Sequence, residues 1–200
     1  MVIGVTGLSC SGKSKIAEYL QGKGYKEIDV DALGHQALVN SKEEVVKRFG
    51  PSILDETNQV NRKVLGSIVF NDPEKLIALE SIVHPQMVQI CKDIVEQSQE
   101  TVVINAALLY KMKLHVLCDF VFFVTAPYLR RFMRCMKRDH ISIIQVYRRF
   151  KTQRGLFSQA SLADTDIYRV DNRGSFSKTK AILDSLLIKK GLVSFHGSEQ

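Results

Sequence analysis

The chain has 200 residues, of which 28 are Lys or Arg and 21 are Asp or Glu, so its formal net charge is +7. Apolar residues make up 45% of it and charged residues 24%, which excludes collagenous, low-complexity and intrinsically disordered chains. The excess of basic residues indicates an anionic partner: a nucleic acid, an acidic membrane or a phosphorylated small molecule.

The first residues do not have the pattern of a targeting signal, because no basic segment precedes the apolar run 2–5. No stretch approaches the ~18 apolar residues that a membrane-spanning helix needs. The four cysteines, at positions 10, 91, 118 and 135, are far apart and form no C-x-x-C pair, which argues against a zinc site or a disulfide framework. We therefore expect four separate thiols in a reducing cytoplasm.

Strands and helices alternate along the chain. Val2–Thr6 is a β-rich apolar run that ends at Gly7, and apolar residues at helical spacing follow it as far as Gly22. The other predicted strands are Tyr25–Asp29, Thr101–Ile104, Phe120–Val124 and Ile167–Val170, and a last helix is predicted over 177–189. This alternation indicates an α/β fold with a five-stranded parallel sheet flanked by helices.

The region from about 32 to 100 has a mostly helical pattern. Pro73 stands where a helix can begin, and Pro85 is predicted to interrupt the pattern after His84. Since no repeat or linker divides the chain, we expect a single domain over residues 1–192. Residues 193–200 are expected to form a flexible tail.

The most specific motif is the segment GLSCSGKS at residues 7–14, which matches the Walker A pattern G-x-x-x-x-G-K-[ST] between a strand and a helix. Glycines let backbone N–H groups converge on phosphate oxygens, and the helix N-terminus adds its dipole. Lys13 would reach the β- and γ-phosphates of a nucleotide, and the Ser14 hydroxyl would bind Mg²⁺. The motif predicts a nucleoside triphosphate site.

The residues that accompany this loop favour a small-molecule kinase. Residues 31–34 spell the D-x-x-G of GTPases, but the chain has no N-K-x-D motif, so we interpret the match as accidental. Motor ATPases end an apolar strand in an acid, whereas Asn105 follows the strand at 102–104. Asp29 and Asp31 instead lie at the carboxyl end of the second strand, at the edge where α/β sheets bind ligands. Either could act on an attacking hydroxyl or merely cap the next helix.

Basic residues concentrate between residues 127 and 155. This segment holds nine Lys or Arg and one acid, so it carries a charge of +8 and the rest of the chain −1. Arg130, Arg134 and Arg138 recur every four residues and share a helical face. Beside a Walker A loop we interpret the segment as a lid that closes over ATP. A solvated basic face and a nucleic-acid patch are the alternatives, although no aromatic interleaving supports the latter.

Further short motifs follow the loop in a fixed order. They are G-x-G-S-G-K-S at 8–14 (with Ser9 and Cys10 where glycines are common), I-D-x-D at 28–31, F-G-x-x-I-L at 49–54, N-R at 61–62, L-E-x-I-x-H-P at 79–85, R-x-x-x-R-D at 134–139 and R-x-x-x-Q at 149–153. In this order and spacing the sequence resembles the dephospho-CoA kinase family from Val2 to about Leu192.

The resemblance implies a P-loop kinase with a helical acceptor-binding region at about 32–100 and an Arg-rich lid at about 127–155. The implied reaction is ATP-dependent phosphorylation of the ribose 3′-hydroxyl of dephospho-CoA, giving CoA and ADP, with Mg²⁺ as cofactor. Asp31 would be the base, and Lys13 and Arg138 would stabilise the transferring phosphoryl group. We expect a cytoplasmic protein, monomeric, with no nucleic-acid or membrane partner.

The same resemblance assigns a role to each site residue. The implied nucleotide-binding residues are Gly7, Cys10, Ser11, Gly12, Lys13, Ser14, Lys15, Arg134 and Arg138. The implied acceptor-binding residues are Asp31, His35, Asn61, Arg62, His84 and Leu108. The implied metal ligands are Ser14 and Asp31.

Three departures from the family pattern leave rival functions open. Residues 107–111 read ALLYK where the family has P-L-L-x-E, Cys10 adds a thiol to the loop, and Asp164 and Asn172 are too far apart for A-D-x-x-I-x-N. The rivals are a kinase for a nucleoside monophosphate or sugar acid with the same loop and lid, and a nucleotide-binding protein with weakened transfer, which Lys111 and Cys10 favour. A nucleic-acid-binding ATPase is a third rival, suggested by the net charge alone.

Overall fold

A computed structural model describes residues 1–139, 143–152 and 165–192. Its elements in chain order are β1 (Val2–Gly7), α1 (Lys13–Gln21), β2 (Lys26–Asp29), α2 (Val30–Asn40), α3 (Lys42–Phe49), α4 (Arg62–Val69), α5 (Pro73–Glu96), β3 (Val102–Asn105), β4 (Phe120–Thr125), α6 (Tyr128–Asp139), α7 (Ile143–Thr152), β5 (Asp166–Asp171) and α8 (Phe176–Lys189). The predicted tail and the motif residues Gln153 and Asp164 lie outside the described residues. Among the helices of the described chain, none combines the length and apolar character that a bilayer crossing needs.

The five strands form one parallel sheet in the order β2-β3-β1-β4-β5. Central β1 pairs with β3, placing Val2 opposite Val102, and with β4, placing Ile3 opposite Phe120. All residues of β3 and β4 are buried, as expected for apolar runs covered on both faces. The predicted α/β fold is confirmed, and each predicted strand is found within one residue of its expected ends.

Helices α1 and α8 pack together with the sheet in one hydrophobic core. Ile16 and Leu20 of α1, and Leu183 and Leu187 of α8, are each spaced by four residues and buried beside Phe122 of β4. Side chains four residues apart lie on one face of a helix, so each helix presents an apolar stripe to the strands. The helical periodicity of these two segments therefore predicts which faces are buried.

A polar network also joins α1 and α8. The Tyr19 hydroxyl donates to the two carboxylate oxygens of Asp184 at 2.7 and 2.8 Å, and Lys23 Nζ forms an ion pair with Asp184 at 2.9 Å. Partial burial alone would raise the pKa of Asp184, but the hydrogen bonds from Lys23 and Tyr19 together bring that pKa below its ordinary value.

The described chain divides into two units: Met1–Ile28 with the residues from Gln99 onward, and Asp29–Ser98. The second unit contains helices α2 to α5, and it corresponds to the helical region predicted at about 32–100. The organisation of residues 1–192 as a single domain stays a prediction.

Helix α5 runs from Pro73 to Glu96 without a break, so the predicted interruption at Pro85 is wrong. Val83, Met87 and Cys91 are buried at four-residue intervals on both sides of the proline. Their packing within the second unit offsets the ~3 kcal/mol that an internal proline costs a helix. The local preference of proline is therefore overridden by tertiary contacts.

Candidate nucleotide-binding site

The carboxyl ends of three adjacent strands bring three segments of the chain together. Gly7 at the end of β1 lies opposite Val124 of β4, and Thr125 at the end of β4 lies opposite Asp171 of β5. Because these strands are parallel, the loop after β1, helix α6 after β4, and Asn172 after β5 all leave the sheet at the same edge. Open α/β sheets bind ligands at this edge.

Residues 8–12, the phosphate loop, turn tightly between β1 and α1. The Ser11 N–H donates to the Leu8 carbonyl at 3.1 Å, and Gly12 precedes the helix with a φ of +102°. A Cβ at Gly12 would also collide with the amide of Asn172, so the position needs glycine both for conformation and for space. Helix α1 begins at Lys13, and the N–H groups of its first turn have no acceptor within the helix. Such N–H groups can bind an anion.

Two side chains from different elements hold the Ser11 carbonyl. It accepts from Arg134 Nη1 at 3.0 Å and from Asn172 Nδ2 at 2.8 Å, and the Thr179 hydroxyl donates to Asn172 Oδ1 at 3.1 Å. The C=O and N–H of a trans peptide point in opposite directions, so this arrangement turns the Gly12 N–H away from Arg134 and Asn172. Both side chains therefore orient the backbone of the loop.

Arg131 holds the preceding part of the loop in the same way. Its Nε donates to the Ser9 carbonyl at 2.9 Å, and its guanidinium lies over the ring of Phe150 in α7, 4.1 Å from the centroid. Only 7% of Arg131 is exposed, and this burial lowers the pKa of its guanidinium. Arg131, a cation of the predicted lid, is therefore buried on α6 and contacts both the phosphate loop and α7.

A cavity of about 690 Å³ opens beside the loop. Five cations line it, and no acidic residue of the described chain does so. The cations are Lys13, Lys15, Arg134, Lys137 and Arg138. The other lining residues are Cys10, Gly12, Ser14, Asn172, Gly174 and Phe176. The volume suits a small-molecule ligand, and the charge suits a group with several phosphates.

Cys10 and Cys135 form a disulfide, so the expectation of four separate thiols is wrong for these two residues. They are 125 residues apart in the sequence, but their Cα atoms are 5.6 Å apart. The parallel pairing of β1 with β4 brings the phosphate loop against α6, and both cysteines pack in an apolar cluster there with Val146. Cys91 and Cys118 are thiols, as expected, and both are buried.

Comparison with known proteins decides the family. The sequence profile of dephospho-CoA kinases matches residues 1–177. The dephospho-CoA kinase of Borreliella burgdorferi is 34% identical over 204 residues, which covers 100% of this chain and 98% of that protein. The chain belongs to the dephospho-CoA kinase family. The dephospho-CoA kinase of Staphylococcus saprophyticus is 31% identical over 99% of this chain and 98% of its own length.

Two solved structures share the P-loop kinase fold of this family. A protein from Thermus thermophilus superposes with a TM-score of 0.77 at 29% identity, covering 94% of this chain and 97% of its own. The dephospho-CoA kinase from Campylobacter jejuni superposes with a TM-score of 0.69 at 24% identity, covering 96% and 98%. The predicted family and fold are therefore both confirmed.

The nucleotide-binding residues implied by the dephospho-CoA kinase resemblance all lie in the first unit. Gly7 ends β1, and the buried Ser11 lies within the phosphate loop. The others line the cavity: Cys10, Gly12, Lys13, Ser14, Lys15, Arg134 and Arg138. Their roles toward a nucleotide stay predictions.

Asp31 and His35, implied to bind the acceptor, lie on α2 in the second unit. Asp31 is exposed in the first turn, and Asp29 caps this helix because its carboxylate accepts the Asp31 N–H at 3.1 Å. The D-x-x-G match at 31–34 lies inside the same helix. His35 borders a cavity of about 160 Å³ that Lys42 and Gln59 also line.

The other implied acceptor residues are spread over three elements. Asn61 caps α4, since its side-chain oxygen accepts two backbone N–H groups of that helix at 3.1 and 3.2 Å. Arg62 is exposed at the first position of α4, and His84 is half-buried on α5. Leu108 belongs to the first unit, where it follows β3 and is half-buried. The contacts of these residues with an acceptor stay predictions.

Arg131 and Asn172 contact the phosphate loop although neither was among the predicted site residues. Arg131 lies in a run of charged residues, a pattern that normally indicates an exposed helical face. It is four residues from Cys135, so the two share one face of a helix, and this spacing was the sequence signal for its position. Asn172 follows a strand at the ligand-binding edge, and this position was the signal that pointed to it.

Proposed function

We propose that this dephospho-CoA kinase transfers the γ-phosphate of ATP to the ribose 3′-hydroxyl of dephospho-CoA, giving CoA and ADP. The observation that carries the proposal is the cavity with five cations beside the phosphate loop, in a chain that belongs to this family. The Ser11 hydroxyl adds support, because it is buried and has no hydrogen-bond partner in the part of the chain that the structure describes. A buried donor of this kind normally has a ligand or water to bind.

The residues that line the cavity would act on ATP through their charge and their position. Lys13 and Arg138 line the same cavity, where they would neutralise charge on the γ-phosphoryl group as it moves. The backbone N–H groups of Cys10 and Gly12 would bind phosphate oxygens. Asp31 would accept the proton of the 3′-hydroxyl, the role implied by the family resemblance.

Magnesium would accompany ATP in this reaction. Within the described ranges, no group of three or more His, Cys, Asp or Glu could hold a metal. Mg²⁺ in kinases keeps phosphate and water ligands, so one or two protein oxygens are enough. Ser14 lines the cavity, and its hydroxyl is an oxygen ligand of the kind that this requirement asks for. Ser14 would hold the ion and Asp31 would support it, and the bound ion would neutralise phosphate charge.

We also propose that the protein works in the cytoplasm as a monomer, without a nucleic-acid or membrane partner. The lid segment carries the excess charge, and lid residues Arg134, Lys137 and Arg138 line the nucleotide cavity. Nucleic-acid binding through these cations would instead show a steep salt dependence that persists without ATP.

A coupled assay of ADP release tests the reaction and its acceptor. We expect ADP release to be stimulated by dephospho-CoA and not by nucleoside monophosphates or shikimate. Lys13→Ala and Asp31→Ala should each cut the stimulated rate on the order of a hundredfold or more, while circular dichroism shows a folded chain. No stimulation by dephospho-CoA would refute the acceptor, and full activity in Asp31→Ala would remove it as the base.

A second candidate function is nucleotide binding with weakened transfer. Cys10 favours it, because this residue places a side chain in the phosphate loop with a φ of +59°. The same assay separates the two functions: tight ATP binding without acceptor-stimulated ADP release would support the second.

A further inference from the structure

We propose that Cys10 and Cys135 form a redox-active site that reacts with small disulfides and dithiols. In its oxidised state this site ties the lid helix α6 to the phosphate loop and slows nucleotide exchange. The effect on turnover rests on the proposed function, whereas the chemistry of the site and its effect on nucleotide release do not.

The disulfide connects two elements that both border the nucleotide cavity. Cys10 lies in the middle of the phosphate loop, and Cys135 lies on α6 next to Arg134, whose Nη1 donates to the Ser11 carbonyl at 3.0 Å. Without the covalent bond, hydrogen bonds from Arg134 and Arg131 are the polar links described above between α6 and the loop. Hydrogen bonds break on the timescale of lid motion, but a disulfide does not.

A small thiol or disulfide can reach this site from the cavity. Cys10 is half-buried and lines the cavity, whereas Cys135 is fully buried. Thiol–disulfide exchange needs a sulfur that the reagent can reach, and of this pair only Cys10 lines the cavity. The reaction therefore begins at the Cys10 sulfur.

The other two cysteines lack these features. Cys91 is fully buried, and burial raises the pKa of its thiol to about 11. Cys118 is 9% exposed, and its thiol donates to the Leu114 carbonyl at 3.4 Å. Neither lines the nucleotide cavity. They serve as internal controls for the reactive pair.

The redox step is a thiol–disulfide exchange with a dithiol of the dithiothreitol class. In oxidation, the Cys10 thiol loses its proton, and its thiolate attacks the cyclic disulfide of the reagent to form a mixed disulfide; one reagent thiolate is released and takes up a proton. The Cys135 thiol then loses its proton and its sulfur attacks Cys10, displacing the second reagent thiolate, which takes up the other proton. One S–S bond breaks in the reagent and one forms in the protein, while two electrons and two protons pass to the reagent.

The setting of this pair suits a regulatory bond. Disulfides in a reducing cytoplasm are usually transient and serve catalysis or redox sensing. Lid opening or product release limits turnover in many enzymes, so a bond that holds α6 against the loop would act on such a step. Oxidation then reduces turnover, and a dithiol restores it.

The decisive experiment measures release of a fluorescent ATP analogue from one wild-type preparation in two redox states. The protein is equilibrated with reduced or oxidised dithiothreitol, and mass spectrometry of alkylated peptides reports the state of each cysteine. We expect release on the order of tenfold slower from the oxidised protein, and a similar fall in dephospho-CoA-dependent ADP release. We also expect a bound non-hydrolysable ATP analogue to slow reduction of the disulfide.

Variants locate the effect. Cys135→Ser should remove the dependence of nucleotide release on redox state, and Cys118→Ser, which alters a buried thiol elsewhere, should retain it. Equal release rates from oxidised and reduced wild type would overturn the proposal, as would retention of the effect in Cys135→Ser. If dephospho-CoA stimulates no ADP release in either state while the release rates differ, the proposed kinase function fails and the redox site stands.

Discussion

Arg131 is a buried cation that holds the phosphate loop through a backbone carbonyl. It is 7% exposed, and it bonds the Ser9 carbonyl at 2.9 Å while its guanidinium stacks on Phe150. A charged donor of this kind contributes about 1.5–3 kcal/mol when its partner is buried. We therefore expect Arg131 to position the phosphate loop for ATP binding.

Replacing Arg131 by Met should weaken ATP binding more than it slows transfer. The Ser9 carbonyl loses its donor and the loop becomes less well oriented, so we expect the KM for ATP to rise on the order of tenfold while kcat falls less. Arg131→Lys should give an intermediate value, because an ammonium lacks the planar fork that stacks on Phe150. The matched control is Lys189→Met, which removes an exposed cation of α8. An unchanged KM in Arg131→Met would contradict the role.

Two glycines with positive φ provide a second test at this scale. Gly12 has a φ of +102° and a Cβ there would meet the Asn172 amide, whereas Gly24 has a φ of +89° and no atom within 4 Å of that position. Gly24→Ala should cost about 1 kcal/mol of backbone strain and leave ATP binding intact. Gly12→Ala should lose stability and should also lose ATP binding. Urea unfolding measures the stability of both variants, and titration calorimetry measures their ATP affinity. Equal ATP affinity in the two variants would contradict the account.

At the scale of elements, the strands could be predicted because each is an apolar or β-rich run that ends at a glycine or polar residue. The phosphate loop could be predicted because its spacing is specific and its flanking strand and helix are local. The predicted interruption at Pro85 was wrong because the helix-breaking preference of proline is a local property, whereas the packing of Val83 and Met87 is a tertiary one. The burial of Arg131 and the pairing of Cys10 with Cys135 were also missed. Both depend on α6 meeting a loop more than a hundred residues earlier.

The network between α1 and α8 predicts a pH dependence. The pKa of Asp184 is lowered in the folded chain, so its stabilising effect is present above the unfolded pKa of about 4 and is lost as pH falls through the lower folded value. Its carboxylate is 40% exposed, and solvent screening limits the effect to about 0.5–1 kcal/mol. Asp184→Asn should be less stable than wild type by this amount at pH 7, and the difference should shrink as the pH falls below about 4.

The measurement is urea unfolding of both chains between pH 7 and pH 3. Glu56→Gln, which changes an exposed loop carboxylate, should match wild type within about 0.5 kcal/mol throughout. A difference for Asp184→Asn that grows as the pH falls would contradict the lowered pKa.

At the scale of the whole molecule, the net charge of +7 arises from one segment of the chain. Residues 127–155 carry +8 and the rest of the chain −1. Three of these cations, Arg134, Lys137 and Arg138, line the cavity beside the phosphate loop, and Arg131 is buried and bonds to that loop. The net positive charge is therefore concentrated in one segment of the chain, and part of that segment borders the cavity beside the phosphate loop.

Reduction of the disulfide should also destabilise the fold. The bond closes a loop between residues 125 positions apart, which restricts the unfolded chain. Loop-closure entropy predicts a loss of about 3–5 kcal/mol in the free energy of unfolding when dithiothreitol opens it. Urea unfolding with and without the reductant measures this, and Cys135→Ser should show no such dependence. Identical unfolding curves for the two forms of wild type would contradict a folded-state disulfide.

The identity of the product tests the central claim most directly. The purified protein is incubated with ATP, Mg²⁺ and dephospho-CoA, and the product is analysed by phosphorus NMR. We predict a new phosphomonoester on the ribose 3′ carbon, formed in amounts equal to the ADP released and absent with Lys13→Ala. Phosphate at any other position, or ADP release without a new phosphomonoester, would contradict it.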